Sequence, residues 1–276
     1  MSAELVIEDG SPNFWTSSDI WVVPGNDPSG APGQPIAGLP AFMWARVNNT
    51  GDVPINGAEV KFYWSNPATG VLRSNSTYIG SAYVDLSPGE TQEVLCLTPW
   101  VPVVVNNGHE CVVAEIIHFA DPLPSPLPDP FNPPAFRQVA QRNLSVLEMG
   151  SSMMMMTFQV AAPPRKKLEL EIAMHVGKPP EKKALEPLGL KGLKFSEKEM
   201  VNADIVLNAE CGKIDKKQRC DHLKLDLEPG TAKAVTLRVE PINLQKGYYT
   251  PIDIVATCDG EIFGGLTVIV TQAKED

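Results

Sequence analysis

Short alternating segments between Pro- and Gly-containing turns are the feature that most constrains this fold. In residues 58–65, for example, Val60, Phe62 and Trp64 occupy every second position. A period of two places these three side chains on one face of a strand. The chain of 276 residues has 26 prolines and 21 glycines, which favours many turns and few long helices. The pattern therefore predicts a chain built almost entirely from short strands.

The predicted strands fall into two groups of seven, and no helical period separates them. The first group is residues 19–23, 41–47, 58–65, 78–86, 91–97, 111–118 and 138–147. The second group is residues 157–161, 168–175, 204–210, 223–227, 234–239, 252–257 and 266–270. Strands of this length and spacing are typical of immunoglobulin-like sandwiches. We therefore expect an all-β fold, two tandem immunoglobulin-like antiparallel β-sandwiches.

Charge is distributed unevenly along the chain. Residues 1–149 contain five basic and fifteen acidic residues, whereas residues 150–276 contain 18 of each. The net charge of −10 thus belongs to the first half, and it argues against nucleic acid as a partner. This change in charge along the chain predicts an acidic domain over residues 1–149 and a second domain over residues 150–276.

The two halves also share a turn sequence. Leu-Ser-Pro-Gly-Glu at residues 86–90 and Leu-Glu-Pro-Gly-Thr at residues 227–231 each precede an alternating strand. A shared turn at corresponding positions indicates an internal repeat of one topology. A stretch at residues 186–200 is compatible with one helical turn, but its glycines argue against more.

Several motifs of the first half occur in an order that is similar to a known family. They are Asp-Ile-Trp-Val at 19–22, Ala-Arg-Val-Asn-Asn-Thr-Gly at 45–51, Glu-Val-Lys-Phe-Tyr-Trp at 59–64, Tyr-Ile-Gly at 78–80, Leu-Ser-Pro-Gly-Glu-Thr at 86–91 and Arg-Asn-Leu-Ser-Val at 142–146. In this order they resemble the bacterial CARDB-type immunoglobulin-like domains over roughly residues 19–148. The resemblance implies a non-catalytic binding or spacer module, with no catalytic residues to carry over. The long segment before the last strand departs from the family pattern.

That departing segment, residues 121–136, is the main candidate site for a protein partner. Seven prolines between residues 122 and 134 favour an extended path with a low ordering cost. The aromatic rings of this segment have little local core to enter, which favours a partner-binding loop. The alternative is a loop that packs along its own sandwich or against the second half and covers a sheet edge. The candidate partner-binding residues here are Pro124, Pro126, Leu127, Pro128, Phe131 and Phe136.

The second candidate is a Lys-rich insert at residues 178–198, in which Lys182 and Lys183 are the named partner-binding residues. Its six lysines are suited to an acidic surface, including the first half of a neighbouring copy. The alternative is a solvated loop, because Glu181, Glu186 and Glu197 are interleaved with the lysines and Glu199 follows directly. We therefore expect a protein partner or self-assembly.

Metal and cysteine chemistry receives little support from the spacing. Cys211, Cys220, His222 and Cys258 lack a C-x₂₋₄-C pair, which argues against zinc. Disulfides between Cys211 and Cys220 or between Cys96 and Cys111 remain alternatives to free thiols. The Asp/Asn-rich loops at residues 26–27 and 49–52 lack a spaced set of acidic calcium ligands. We expect no metal and no cofactor.

The function most favoured is a non-enzymatic protein-protein interaction or structural module that presents loops. No nucleophile elbow and no phosphate-binding Gly loop is present, so we do not expect an enzyme. The alternative is an accessory or carbohydrate-binding subunit of a larger secreted system. An exposed coplanar pair of Trp rings would favour that alternative, but the five tryptophans mostly sit at core periodicity.

The chain ends and the apolar runs bear on compartment. The first residues lack a basic and then apolar region, so we expect no secretory signal and either a cytoplasmic location or a leaderless export route. No apolar window reaches 18 residues, which predicts no membrane span. The Met153–Met156 run is expected in a strand or an interdomain contact, because methionine fills irregular gaps.

Overall fold

Strands dominate the computed structural model, which describes residues 2–103, 109–196, 198–207 and 220–273. The strands that precede residue 143 are β1 (Leu5–Val6), β2 (Ile20–Pro24), β3 (Ala41–Asn49), β4 (Ile55–Ser65), β5 (Thr77–Leu86), β6 (Thr91–Leu95), β7 (Cys111–Ile117) and β8 (Val139–Arg142). Those that follow are β9 (Leu144–Met149), β10 (Met154–Ala161), β11 (Leu168–Val176), β12 (Lys194–Phe195), β13 (Val201–Leu207), β14 (His222–Leu227), β15 (Ala232–Pro241), β16 (Tyr248–Cys258) and β17 (Glu261–Gln272). The predicted all-β class is confirmed.

Two antiparallel sheets enclose the core of the first half. In one sheet β3 lies between β6 on one side and β1 and β2 on the other, and the second sheet has the order β5-β4-β7-β8. The inward positions of β4 include Val60 and Phe62, both fully buried. They pack against Met43 of the facing sheet and Ile116 of β7. The apolar residues that alternate along these strands thus point inward and form a core between the two sheets.

A second core lies between two further sheets. The smaller sheet has the order β10-β15-β13, and the larger has the order β14-β11-β16-β17-β9. Phe158 and Leu237 of the smaller sheet share one apolar cluster with Ile172, Ile254 and Val268 of the larger sheet. The short strand β12 pairs in parallel with the start of β16. The strands that follow residue 143 thus enclose an apolar core of their own between two sheets.

The predicted strand at residues 138–147 is wrong, because the structure divides it at Asn143. Strand β8 pairs with β7 in the first half, whereas β9 runs parallel to β17 in the sheet of the second half. The Asn143 amide Nδ2 donates to the carbonyl oxygens of Ala68, at 2.6 Å, and Gly265, at 3.0 Å. Its backbone N–H donates to the Trp15 carbonyl at 2.7 Å. These bonds redirect the chain from one sheet to the other.

The repeated turn sequence adopts the same conformation in both halves. Gly89 has φ +73° and Gly230 has φ +71°, values that favour glycine because other residues are strained there. The backbone N–H of Glu90 bonds the Ser87 carbonyl, and that of Thr231 bonds the Glu228 carbonyl. Each turn carries the chain from one sheet to the facing sheet.

In the described residues, helix is limited to a 3-10 turn at Arg73–Asn75 and to one short segment within the Lys-rich insert. Helix α1 (Lys182–Leu185) continues into a 3-10 turn, Glu186–Leu188, and ends at Gly189. The 3-10 turn lies within the predicted residues 186–200, and α1 lies just before them. Within the described ranges, no helix has the length and apolar content needed to cross a membrane.

Candidate functional site

The Pro-rich loop, residues 121–136, lies on the outer face of the β5-β4-β7-β8 sheet. Val113 of β7 and Val139 of β8 point away from the sandwich core and form a separate apolar cluster with Phe131 of the loop. Val71, from the connection between β4 and β5, and Cys111 complete the buried part of that cluster. The loop and the β4–β5 connection therefore build a second, smaller core on the outside of the sheet.

Arg73 is the centre of the contacts that hold the loop base. Its guanidinium carbon lies 4.1 Å from the centroid of the Phe131 ring, a cation–π distance. Its Nε donates to the Pro128 carbonyl at 3.0 Å, and its Nη2 forms an ion pair with Glu115. The Glu115 side chain is 1% exposed and that of Arg73 is 17% exposed. A buried carboxylate of this kind needs its cation, since an unpaired buried charge is costly.

Backbone bonds fix the same base to the β4–β5 connection. The Arg73 N–H donates to the Asp129 carbonyl at 2.7 Å, and the Phe131 N–H donates to the Val71 carbonyl at 3.0 Å. The Asp129 carboxylate accepts from the backbone N–H of Ser74 at 2.9 Å. The loop is thus anchored through both main chain and side chains.

Tyr63 of β4 adjoins this base. Its ring centroid lies 5.2 Å from that of Phe131 and 5.6 Å from that of Tyr78. Burial, together with the nearby negative charge of Glu115, raises the pKa of Tyr63 to about 12. The phenol is therefore neutral at physiological pH and serves as part of the apolar floor.

Away from the base, the loop tip is open to solvent. Pro124, Pro126 and Leu127 are exposed, Leu127 by 42%, and Pro128 is half-buried. The structure thus separates the candidate residues into an exposed tip and a held base.

The expectation that the aromatic rings of the loop lack a core is wrong. Phe131 is only 4% exposed, and Phe136 is half-buried against the same cluster. The reason is the β4–β5 connection, which supplies Val71 and Arg73 from about sixty positions earlier in the chain. Neither Arg73 nor Glu115 was a sequence candidate. The sequence did contain one indication of this buried ion pair, because Glu115 is the single charged residue of the otherwise apolar strand β7.

The Lys-rich insert is held differently, mainly by apolar contacts along its helical turn. Ala184, Leu185 and Leu188 are buried against Leu144 of β9 and Ile269 of β17. Lys182 and Lys183, on the same turn, are exposed. The insert and the Pro-rich loop belong to separate apolar clusters.

Arg142 links the insert to the first half. Its guanidinium donates to the carbonyl oxygens of Ser17, at 2.8 Å, and Ala184, at 2.5 Å. Burial lowers the pKa of Arg142 to about 10, so it remains charged at neutral pH. The insert is therefore docked against both halves rather than free in solvent.

The described cysteines are free thiols, which excludes the Cys96–Cys111 disulfide in this structure. Burial raises the pKa of the Cys111 thiol, and it raises the pKa of the Cys96 thiol as well. Cys211 lies outside the described residues, so the alternatives of a Cys211–Cys220 disulfide and of free thiols both stay open there, and the expectation of no zinc stays a prediction. Within the described part of the chain, no three His, Cys, Asp or Glu side chains cluster as metal ligands.

In the Asp/Asn-rich loops at residues 26–27 and 49–52, side chains form hydrogen bonds that close turns. The Asn49 Oδ1 accepts from the Gly51 N–H at 3.1 Å, and its Nδ2 donates to the Val53 carbonyl at 2.8 Å. The Asp27 carboxylate accepts from the Ser29 N–H at 2.9 Å. The His118 Nε2 lies 3.1 Å from the Asn56 carbonyl oxygen, and its Nδ1 accepts from the Ala120 N–H at 3.2 Å.

A coplanar pair of Trp rings exists, but it is not an open platform. Trp21 and Trp44 stack with centroids 5.9 Å apart and planes 7° apart. Trp21 is 8% exposed, with the Arg46 guanidinium 5.5 Å from its centroid, and the Trp44 Nε1–H donates to the Pro28 carbonyl. The other three tryptophans, Trp15, Trp64 and Trp100, are buried or half-buried, which agrees with the core periodicity of most tryptophans. The carbohydrate alternative gains no support from these rings.

No protein-family model and no curated protein matches the chain. Among solved structures, the chain is similar to the CARDB domain of the PF1109 protein from Pyrococcus furiosus, at 16% identity and a TM-score of 0.29. The match covers 53% of this chain and 90% of that domain. A CARDB domain is thus among the solved structures to which the chain is similar.

Two other solved structures match over more of the chain. The CupB6 tip adhesin from Pseudomonas aeruginosa is 9% identical, with a TM-score of 0.30, and the match covers 100% of this chain and 98% of the adhesin. Red sea bream transglutaminase is 12% identical, with a TM-score of 0.24, and the match covers 93% of this chain and 32% of the enzyme. These likenesses are distant and concern the β-sandwich fold alone.

Proposed function

We propose that this chain is a non-enzymatic interaction module whose Pro-rich loop presents a fixed tip to a protein partner. The supporting observation is the contrast within the loop, where Pro124, Pro126 and Leu127 are exposed while Arg73 and Glu115 hold the base. A tip whose conformation is set before binding loses less entropy when it is bound. Binding residues are often found on such loops, held by a rigid sheet.

We further propose that the module consists of two immunoglobulin-like sandwiches with their boundary at Asn143. Two separate apolar cores and four sheets support this division. The parallel pairing of β9 with β17 is the reason to place the boundary before residue 150. Asn143 and the Ala68 carbonyl tie the two sandwiches together, so the tip is presented by a joined pair.

The Lys-rich insert provides a second surface in this proposal. Lys182 and Lys183 are exposed on α1 and suit an acidic partner, or the acidic first half of another copy. The first half has the whole net charge of −10, so head-to-tail contact would bring opposite charges together.

The experiment replaces residues 124–127 with Gly-Ser-Gly-Ser, which removes the tip and leaves Arg73, Glu115 and Phe131 in place. The intact chain, this variant and Leu97→Ser, which changes an exposed apolar residue elsewhere, are used to capture proteins from extracts of the native host. A captured protein is then purified and its direct binding measured by calorimetry. We expect a partner that binds the intact chain and the Leu97→Ser control but not the tip variant.

Equal binding to all three proteins would refute the role of the tip. Self-assembly is tested separately by sedimentation velocity at low and high salt. If Lys182 and Lys183 mediate it, the doubly substituted Lys182→Glu, Lys183→Glu chain stays monomeric where the intact chain associates. A monomeric intact chain at all concentrations would remove the head-to-tail proposal.

A further inference from the structure

A cleft of about 530 Å³ opens between the N-terminal segment at residues 10–18 and the start of the Lys-rich insert. Its lining includes Asn13 from the first segment, and His175 and Pro180 from the end of β11 and the insert. Asp253 of β16 also lines it, although its residue is only 3% exposed. The cleft is therefore a solvent-open space with a buried carboxylate at its floor.

The two oxygens of Asp253 have unequal partners. Its Oδ1 accepts a 2.6 Å hydrogen bond from the Thr267 hydroxyl. Among the described residues, its Oδ2 has only the Asn13 amide Nδ2, at 3.5 Å, and the His175 Nε2, at 4.0 Å, as polar partners. Both distances exceed a normal charge-assisted hydrogen bond. A buried carboxylate oxygen therefore faces the cleft with incomplete compensation, and burial raises the pKa of Asp253.

The backbone leaves room for this arrangement at Gly177. A Cβ atom there would lie 2.1 Å from the Asp253 Oδ2, so any side chain at Gly177 would displace the carboxylate. The absence of a side chain thus allows the carboxylate to occupy the cleft floor.

The walls of the cleft are largely apolar. Pro12, Pro179 and Pro180 supply rings, and Val176 and Ala184 supply aliphatic groups. The hydroxyls of Ser11 and Ser18 line the same space and can accept hydrogen bonds. Such a site suits a ligand with a short aliphatic chain and a positively charged, donor-rich head.

We propose that this cleft binds a primary alkylammonium group, with its charge against Asp253 and its methylene chain against the proline walls. An ammonium group has three donors and no acceptor, which matches one carboxylate oxygen and neighbouring hydroxyls. Lysine-like chains bury their stem while the charged head keeps polar partners. A divalent metal fits less well, because among the described residues no three His, Cys, Asp or Glu side chains are grouped so that they could hold one.

The charges at the rim of the cleft act in both directions. Glu181 attracts a cation, whereas Lys178 and a protonated His175 repel it. Asp253 is therefore the group on which cation binding depends most directly. The ammonium group can come from a free amine or from a lysine side chain of a partner, and the test distinguishes these sources.

Calorimetric titration of the full chain uses two probes, n-butylammonium and the blocked peptide acetyl-Gly-Lys-Gly-amide, with butan-1-ol as the uncharged control. Trp15 provides a second readout, since its Nε1–H donates to Thr267, which donates to Asp253. We expect saturable binding of at least one charged probe, no binding of the alcohol, and a shift of the Trp15 indole N–H resonance. Binding of the peptide alone would identify a partner lysine as the source, and binding of the free amine as well would indicate a small amine.

Asp253→Asn keeps the shape of the side chain and removes its charge, and should weaken binding at least tenfold. Asp226→Asn, an exposed carboxylate on β14, is the matched control and should bind normally. If Asp253→Asn fails to fold, Glu181→Lys at the rim serves instead and should weaken binding severalfold. No binding of either charged probe at millimolar concentration, or binding that the substitutions leave unchanged, would overturn the proposal.

Discussion

The Pro-rich loop and the Lys-rich insert both cover the outer face of a sheet, but different forces hold them. The loop base depends on one buried ion pair, Arg73 with Glu115, and on a guanidinium over Phe131. The insert depends on leucines of a single helical turn, including Leu185 and Leu188. The comparison teaches that a polar or Pro-rich composition does not make a segment free, because a few apolar or charged anchors are enough to dock it.

Arg73→Ala should produce the largest loss in this comparison. It leaves the Glu115 carboxylate buried without a cation, which we expect to reduce the free energy of unfolding by roughly 3–5 kcal/mol. Thermal unfolding monitored by circular dichroism measures the loss. The double variant Arg73→Ala, Glu115→Ala should lose less than the two single variants combined. Simple additivity would mean that the two side chains act independently.

Leu185→Ala, in the Lys-rich insert, should lower the free energy of unfolding by about 3 kcal/mol. A buried Leu→Ala change in a core lowers that free energy by roughly 2–5 kcal/mol. The same unfolding assay applies, and limited proteolysis should show earlier cleavage within the insert. An unchanged proteolysis pattern would mean that the insert is not held by its apolar side.

Leu127→Ala should lower the free energy of unfolding by about 1 kcal/mol or less, as measured by thermal unfolding. The reason is that a partly exposed leucine contributes only a fraction of the burial energy of a fully buried leucine. This variant is the test of the tip as a separate part of the loop. A loss comparable with that of Arg73→Ala would show that tip and base form one structural unit.

The double variant Lys182→Gln, Lys183→Gln should change the free energy of unfolding least, by no more than about 0.5 kcal/mol, as expected for exposed side chains away from a core. Unfolding in urea compares the double variant with the intact chain. A larger loss would assign the lysines a structural role and weaken their candidacy for partner binding.

Local patterns predicted the strands well, and long-range contacts account for most of what they missed. Val60 and Phe62 face inward as their period of two indicates, and the turns at Gly89 and Gly230 adopt the conformation that their sequence favours. The parallel pairing of β9 with β17 was not predictable, because Leu144 and Thr267 meet only in the folded chain.

The candidate sites show the same division. Exposure of Lys182 and of the loop tip follows from composition, whereas burial of Phe131 requires Val71 and Arg73, which are remote in sequence. The cleft is a more extreme case, since Asn13 and Asp253 are 240 residues apart. Neither residue belongs to a motif that single-sequence reasoning recognises.

The parallel register of β9 and β17 has a mechanical consequence. Strand β9 begins at Leu144, which is aligned with Thr267, and β17 ends at Gln272, which is aligned with Met149. Tension applied to the chain before β9 and after β17 would pull these neighbouring strands past each other along their length. All the backbone bonds between them would then bear load together, instead of opening one at a time from an end. This pair would act as the strain-bearing element of the molecule when it is stretched.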